Sequence, residues 1–287
     1  MDVKTTRLCP AIGAEISGLD VSDISSGNLI GELRQAVNEA GGLLVLRDQE
    51  LTPEQHVDFS RAFGLLFGEA EQLQNTVKPY LHPDFPQIYR VSNKVVDGKV
   101  QGRQRAGTYW HSDVSFRKKP AMFSILYGIE VPPLGGDTVF TNMTLAYEAL
   151  SDAMKEMIAP LHAVHHFAGA SNAAWSHEKV EEEDLEGANV AEHPVVRIHA
   201  ETGAKSLFVN PGNTSHLIGF SPEESNALLG FLYEHAIQPE FQYRHRWCPR
   251  DLIIWDNRCT LHYAISDYSA DRYMHRTTVI GEEPVAA

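Results

Sequence analysis

The chain has 287 residues with a formal net charge of -14, 43% of them hydrophobic and 22% charged, the balance of an ordinary globular protein long enough to bury a full core. So acidic a chain lacks the Lys/Arg stripes that nucleic-acid phosphates require, and no nucleic acid is expected among its partners. No stretch approaches the roughly 18–20 consecutive apolar residues of a membrane helix, so no membrane partner is expected.

The first residues, MDVKTTRLCPAIG, carry no apolar signal-peptide core. Cys9, Cys248 and Cys259 are scattered and include no C-x-x-C pair, which argues against a disulfide framework or a cysteine zinc site. Reduced cysteines in a cytoplasmic protein are the expectation.

In chain order, residues 29–40 read as a helix and GGLLVLRD (41–48) as a strand. TPEQHVDFSRAFG opens a helix with Thr52 as N-cap, Pro53 in the first turn and Gln55 completing a capping box. QIYRVSN (87–93), TYWHSDVSF (108–116) and AMFSILYGIEV (121–131) read as strands, and 144–157 as one helix. The acidic segment SHEKVEEEDLEGANVAEH (176–193) has no core-forming period and reads as a loop or lid. HPVVRIHA (193–200) and SLFVN (206–210) read as strands, followed by a capping-box helix from Ser221 with Glu224. FQYRHRW (241–247), DLIIWDN (251–257) and MHRTTVIG (274–281) are the last strand signals. No G-x-G-x-x-G or Walker pattern follows any strand, which disfavours a nucleotide fold. Many strands with few helices point to a β-sandwich or barrel decorated by helices, in one large domain or two small ones.

Three H-x-D triplets occur in a chain with 14 histidines, where chance supplies about one. His56 and Asp58 fall on a helix, where i and i+2 point apart. His82 and Asp84 lie in YLHPDFP, whose prolines imply a turn. Read as a strand, TYWHSDVSF puts Tyr109, His111 and Asp113 on one face. A buried imidazole and carboxylate need neutralising, by a metal or by each other. A metal would call for a further histidine. His262, in IIWDNRCTLHYA, stands out, with Arg272 and Arg276 downstream sharing one face of an extended segment.

WHSDVSF, PPLGGDT, WDNRCTLH and RYMHRTT, in that order, resemble the taurine / 2,4-dichlorophenoxyacetate dioxygenase (TauD/TfdA) family of iron(II)- and 2-oxoglutarate-dependent oxygenases. The likeness runs from IGAEISGLD to VIGEEP. It implies a mainly β fold with helices (α+β), with a double-stranded β-helix (jelly-roll, cupin-like) core and flanking helices. By motif, His111, Asp113 and His262 match the Fe(II) ligands. Thr138, Arg272 and Arg276 match residues that bind 2-oxoglutarate, Arg276 also lying near the substrate anion. The reaction implied consumes O2 and 2-oxoglutarate, yields succinate and CO2, and hydroxylates the substrate, with C–S or C–O cleavage where the attacked carbon bears sulfur or oxygen. No protein general base is needed.

Taurine enzymes carry an asparagine where this chain has Gly107 and an aromatic residue where it has Asn213. They also place a histidine after their FG helix end, which FGLLFGEAEQ lacks. The expected substrate is therefore a small anionic molecule, a sulfonate, carboxylate or phenoxyacetate-like acid. Arg276, Tyr109, Asn213 and the backbone N–H of Val114 would position it. A homo-oligomer, dimer or tetramer, is expected. A biosynthetic oxygenase of the same family is the nearest alternative, and a zinc hydrolase or a non-catalytic metal-binding β-barrel are remoter ones.

Overall fold

The computed structural model describes residues 3–23, 28–69, 77–167 and 189–287. Its elements begin with β1 (Lys4–Arg7), β2 (Ala14–Ser17), α1 (Leu29–Glu39), β3 (Leu43–Leu46), α2 (Pro53–Arg61), β4 (Tyr89–Ser92), the hairpin β5 (Val95–Val96) and β6 (Lys99–Val100), and β7 (Ala121–Glu130). Then come β8 (Thr138–Asn142), α3 (Met143–Glu148), α4 (Asp152–Ile158), β9 (His162–His166), β10 (Val190–Pro194), β11 (Val196–Ile198), β12 (Lys205–Leu207) and β13 (Thr214–Leu217). The order closes with α5 (Pro222–Ala236), β14 (Gln242–His245), β15 (Leu252–Asp256), β16 (Thr260–Ala264), β17 (Tyr273–Ile280) and β18 (Val285–Ala286). The architecture is mainly β with few helices, as expected. Among the described residues, no helix is long and apolar enough to cross a membrane.

The principal sheet has seven strands in the order β1-β2-β3-β15-β7-β17-β4, antiparallel except for the parallel β2–β3 pair. Its interior strand β7 is apolar without alternation because both of its faces are covered. Phe123, Ile125 and Tyr127 pack outward with Leu33 and Val37 of α1 and Val57 and Phe59 of α2. Leu126 packs inward with Ile253 and Trp255 of β15, Met274 of β17 and Phe140 of β8. That contact joins the principal sheet to the three-stranded sheet β14-β8-β16, and the candidate site lies between them. Both expected capping boxes are present, Thr52 with Gln55 and Ser221 with Glu224.

Four expectations are corrected. Residues 108–116 form no strand, only a single antiparallel bridge between His111 and His262 followed by a turn. Val114 takes a left-handed backbone (φ 57°), and the Asp113 N–H donates to the Asn257 side chain at 3.0 Å instead of to a neighbouring strand. The single helix read over 144–157 is two, because Ser151 turns extended and caps α4 by accepting from the Met154 N–H at 3.3 Å. HPVVRIHA is divided between sheets, since β10 pairs with β9 while β11 pairs with β12 and β18. The acidic loop 176–193 lies outside the described residues up to 188, and its last four residues are strand in β10.

Candidate active site

His111, Asp113 and His262 converge, one ligand atom of each lying within 4.8 Å of the others, and all three are buried. The carboxylate sits between the imidazoles, with Nε2 of His111 3.7 Å from Oδ1 and Nε2 of His262 3.7 Å from Oδ2. Two routes bring them together. His262 pairs with Phe140 in the small sheet and shares its inward face, its ring 4.7 Å from Trp255. His111 is held against it by two backbone hydrogen bonds of 2.9 and 3.1 Å. The turn that follows then presents Asp113.

The surroundings suit a divalent metal. His111 Nδ1 donates to the Tyr109 carbonyl at 2.8 Å, which leaves Nε2 with its lone pair toward the centre. Burial, reinforced by His111, pushes the His262 imidazole well below its usual pKa, so it is neutral and able to ligate. Burial works against a charged Asp113, but Arg276, His262, His111 and the Ser124 hydroxyl overcome it. Its carboxyl therefore lies well below the usual range. Ser124 on the inward face of β7 donates to Oδ2 at 2.7 Å, and Arg276 on β17 donates to Oδ1 at 2.7 Å.

Asn257 ties these groups together. Its Oδ1 accepts from the Asp113 N–H at 3.0 Å and from Trp255 Nε1 at 3.2 Å, while its Nδ2 donates to Ser124 Oγ at 3.0 Å. Gly212 leaves room for the first ligand, since a Cβ there would lie 2.6 Å from the Tyr109 ring and 3.0 Å from His111 Cβ.

Thr138 and Arg272 are buried and meet at Trp247. Its indole N–H donates to Thr138 Oγ1 at 3.0 Å, and its ring lies 5.9 Å from the Arg272 guanidinium. Tyr268 flanks Arg272 at 5.8 Å. No carboxylate among the described residues pairs with Arg272, and its Nε has no hydrogen-bond partner there. Burial pulls its pKa down, with Tyr268 opposing. A buried guanidinium without a counter-charge is costly unless an anion arrives.

His111, Asp113, Tyr109, Val114, Asn213 and Arg276 border one cavity of about 150 Å³. Asn213 is largely engaged, accepting from Ser115 Oγ at 3.3 Å and donating to the His166 carbonyl at 3.5 Å. Sequence reasoning missed Ser124, Trp247, Asn257 and Tyr268, and on the cavity wall Arg103, Phe116 and Arg117. Asn257 and Trp247 stand within quoted segments, the motif WDNRCTLH and the strand signal FQYRHRW, whose other residues drew the attention.

The competing triplets dissolve. His56 is buried while Asp58 is exposed and pairs with Arg61 at 2.9 Å, and His82 Nδ1 accepts from the Asp84 N–H at 3.2 Å. A second cluster, His199, Asp256 and Cys259, also has ligand-like spacing. There His199 Nδ1 accepts two backbone N–H groups at 3.3 Å and Nε2 donates to Asp256 at 3.0 Å. The Arg258 guanidinium closes on the same carboxylate at 2.6 Å. Those atoms are engaged, and the guanidinium repels a cation.

The family model described as taurine catabolism dioxygenase TauD, TfdA family matches residues 4–278. The alpha-ketoglutarate-dependent 2,4-dichlorophenoxyacetate dioxygenase of Cupriavidus pinatubonensis is 34% identical over 293 residues, covering 99% of this chain and 100% of that protein. A solved taurine dioxygenase from Burkholderia xenovorans superposes with a TM-score of 0.81 at 35% identity, covering 99% of this chain and 91% of that one. AAD-2 in complex with Mn(II) and N-oxalylglycine has a TM-score of 0.81 at 31% identity, covering 99% of each chain.

Proposed function

Because the chain belongs to the taurine catabolism dioxygenase TauD, TfdA family, we propose that His111, Asp113 and His262 hold its iron(II). The protein is a 2-oxoglutarate-dependent dioxygenase that oxidises a small anionic organic substrate. Iron(II) held there would couple oxidative decarboxylation of 2-oxoglutarate by O2, to succinate and CO2, with hydroxylation of that substrate, and a C–O or C–S bond would break where the hydroxylated carbon bears oxygen or sulfur. Two imidazoles and one carboxylate are a donor set that would hold iron(II) and leave it able to take co-substrate and oxygen.

Thr138 and Arg272 hold the distal carboxylate of 2-oxoglutarate. The observation that carries this assignment is the buried Arg272 guanidinium, which lacks a carboxylate partner among the described residues. Trp247 donates to Thr138 Oγ1, so the threonine hydroxyl keeps its own proton to donate to that carboxylate. Arg272 supplies the forked pair that fits a carboxylate and that a lysine would not reproduce. Arg276 neutralises Asp113 and borders the substrate cavity, beside Tyr109, Val114 and Asn213. A zinc hydrolase with the same three ligands gives no role to Thr138 and Arg272.

Anaerobic titration with iron(II) and 2-oxoglutarate tests the assignment. A weak visible charge-transfer band is expected for the wild type and is absent from His111→Ala or Asp113→Ala. A band of equal strength in those variants would refute the ligand set. The chain is read as one catalytic domain over 1–287, cytoplasmic and homo-oligomeric as a dimer or tetramer. Light scattering during gel filtration checks the last point.

A further inference from the structure

Resting on the dioxygenase reading above, the structure assigns the choice of substrate anion to Arg117, a residue that no motif singles out. We propose that the substrate's negative group docks on Arg117 and that its apolar body fills the cavity between Phe116, Phe167, Phe67 and Leu81, which brings its reacting carbon toward the metal ligands.

Charge placement supports this. Among the described residues lining the cavity, Asp113 is the single acid, against three arginines, Arg103, Arg117 and Arg276. Arg276 is committed: it donates to Asp113 Oδ1 at 2.7 Å and lies 5.0 Å from the Tyr89 ring centre. Arg103 is placed against tyrosines, 5.8 Å from the Tyr80 ring centre and 3.5 Å from the Tyr89 hydroxyl. The Arg117 guanidinium differs, because no carboxylate or carbonyl among the described residues engages it.

Its backbone, by contrast, is pinned at both ends. The Arg117 N–H donates to the Val114 carbonyl at 3.1 Å, and its own carbonyl accepts from His193 Nε2 at 3.0 Å. The side chain is half-buried rather than trailing into solvent. The neighbouring Phe116 meets Phe167 edge-on at 5.0 Å, so an apolar wall stands beside the cation. Finally, the left-handed Val114 (φ 57°) bends 113–117 into one turn. Asp113 and Arg117 therefore belong to the same rigid piece of backbone, and an anion seated on Arg117 is indexed to the metal ligand four residues earlier.

Isothermal titration of the full chain loaded with Mn(II) and 2-oxoglutarate tests this without turnover. The probes are phenoxyacetate, hexyl sulfate and 2-naphthalenesulfonate, with phenoxyacetamide as the uncharged control. Wild type should prefer at least one anion over the amide. Arg117→Gln should weaken that anion by about 10- to 100-fold, the loss of one partly desolvated charge pair, and leave the amide unaffected. Arg117→Lys, which keeps the charge but not the fork, should fall between, and it decides the matter if Arg117→Gln does not fold. Lys118→Gln removes equal charge at an exposed position paired with Glu283 at 3.1 Å and should change affinity by less than about twofold. Undiminished anion binding in Arg117→Gln or Arg117→Lys overturns the proposal, and so does a wild type that binds no anion better than the amide. Failure of the wild type to bind Mn(II) and 2-oxoglutarate at all would instead overturn the dioxygenase site itself.

Discussion

Replacing Arg272 by methionine should move stability and co-substrate affinity in opposite directions. The side chain is 3% exposed and packs between Trp247 and Tyr268, with no carboxylate among the described residues to balance it. Burying an ion costs several kcal/mol even after relaxation, and two ring contacts return about 0.5–2 kcal/mol each. Methionine fills similar space without the charge. The protein without 2-oxoglutarate should then gain about 1–2 kcal/mol, a rise of roughly 2–6 °C in melting temperature. With 2-oxoglutarate the sign reverses. Its distal carboxylate would enter a dry site unpaired, at a cost of about 2–5 kcal/mol, which is a loss of at least 30-fold in affinity. Differential scanning fluorimetry with Mn(II), with and without 2-oxoglutarate, reads both effects. At 100 times its dissociation constant the ligand stabilises wild type by about 2.7 kcal/mol, and the variant should show almost none of that shift. A variant that melts several degrees lower yet binds 2-oxoglutarate within about threefold of wild type would show Arg272 to be structural.

Asn257→Leu removes the acceptor of the Asp113 N–H and the donor to Ser124, and should lower metal affinity about 10- to 100-fold in a competitive chelator titration. An unchanged affinity would mean that the turn holds Asp113 unaided. Gly212→Ala drives a methyl to 2.6 Å from the Tyr109 ring. It should cost about 1–3 kcal/mol in urea unfolding, with a parallel loss of metal binding through His111. Burial lowers the pKa of His56 and His193 to about 4 and that of His275 to about 3, against about 6.5 when unfolded. The unfolded chain therefore takes up more protons below that value. Stability, complete above pH ~6.5, should fall as pH drops toward 4, by up to about 1.4 kcal/mol per pH unit for each histidine. Urea midpoints that stay flat from pH 7 to 5 would show that these rings are not buried in neutral form.

Part of the protein was legible in the chain alone because its signals are local. Thr52 and Ser221 cap helices through residues three positions on, and AMFSILYGIEV reads as a strand, which the fold then covers on both faces. The motifs around His111, Asp113 and His262 marked the three residues that come together, and Arg272 and Arg276 were traceable to the strand run RYMHRTT.

Other features needed the fold. TYWHSDVSF alternates like a strand, yet its backbone groups are taken by His262 and by the Asn257 side chain, both more than 140 residues away. No local pattern carries that information. Likewise, the distinction between Arg276, committed to Asp113, and Arg117, whose guanidinium has no carboxylate partner among the described residues, depends on Asp113, His193 and Phe167 arriving from separate segments. Residue type and spacing therefore determined which chemistry the chain can host. Which charges are neutralised by one another was decided by long-range packing, because a charge is balanced by its neighbours in space.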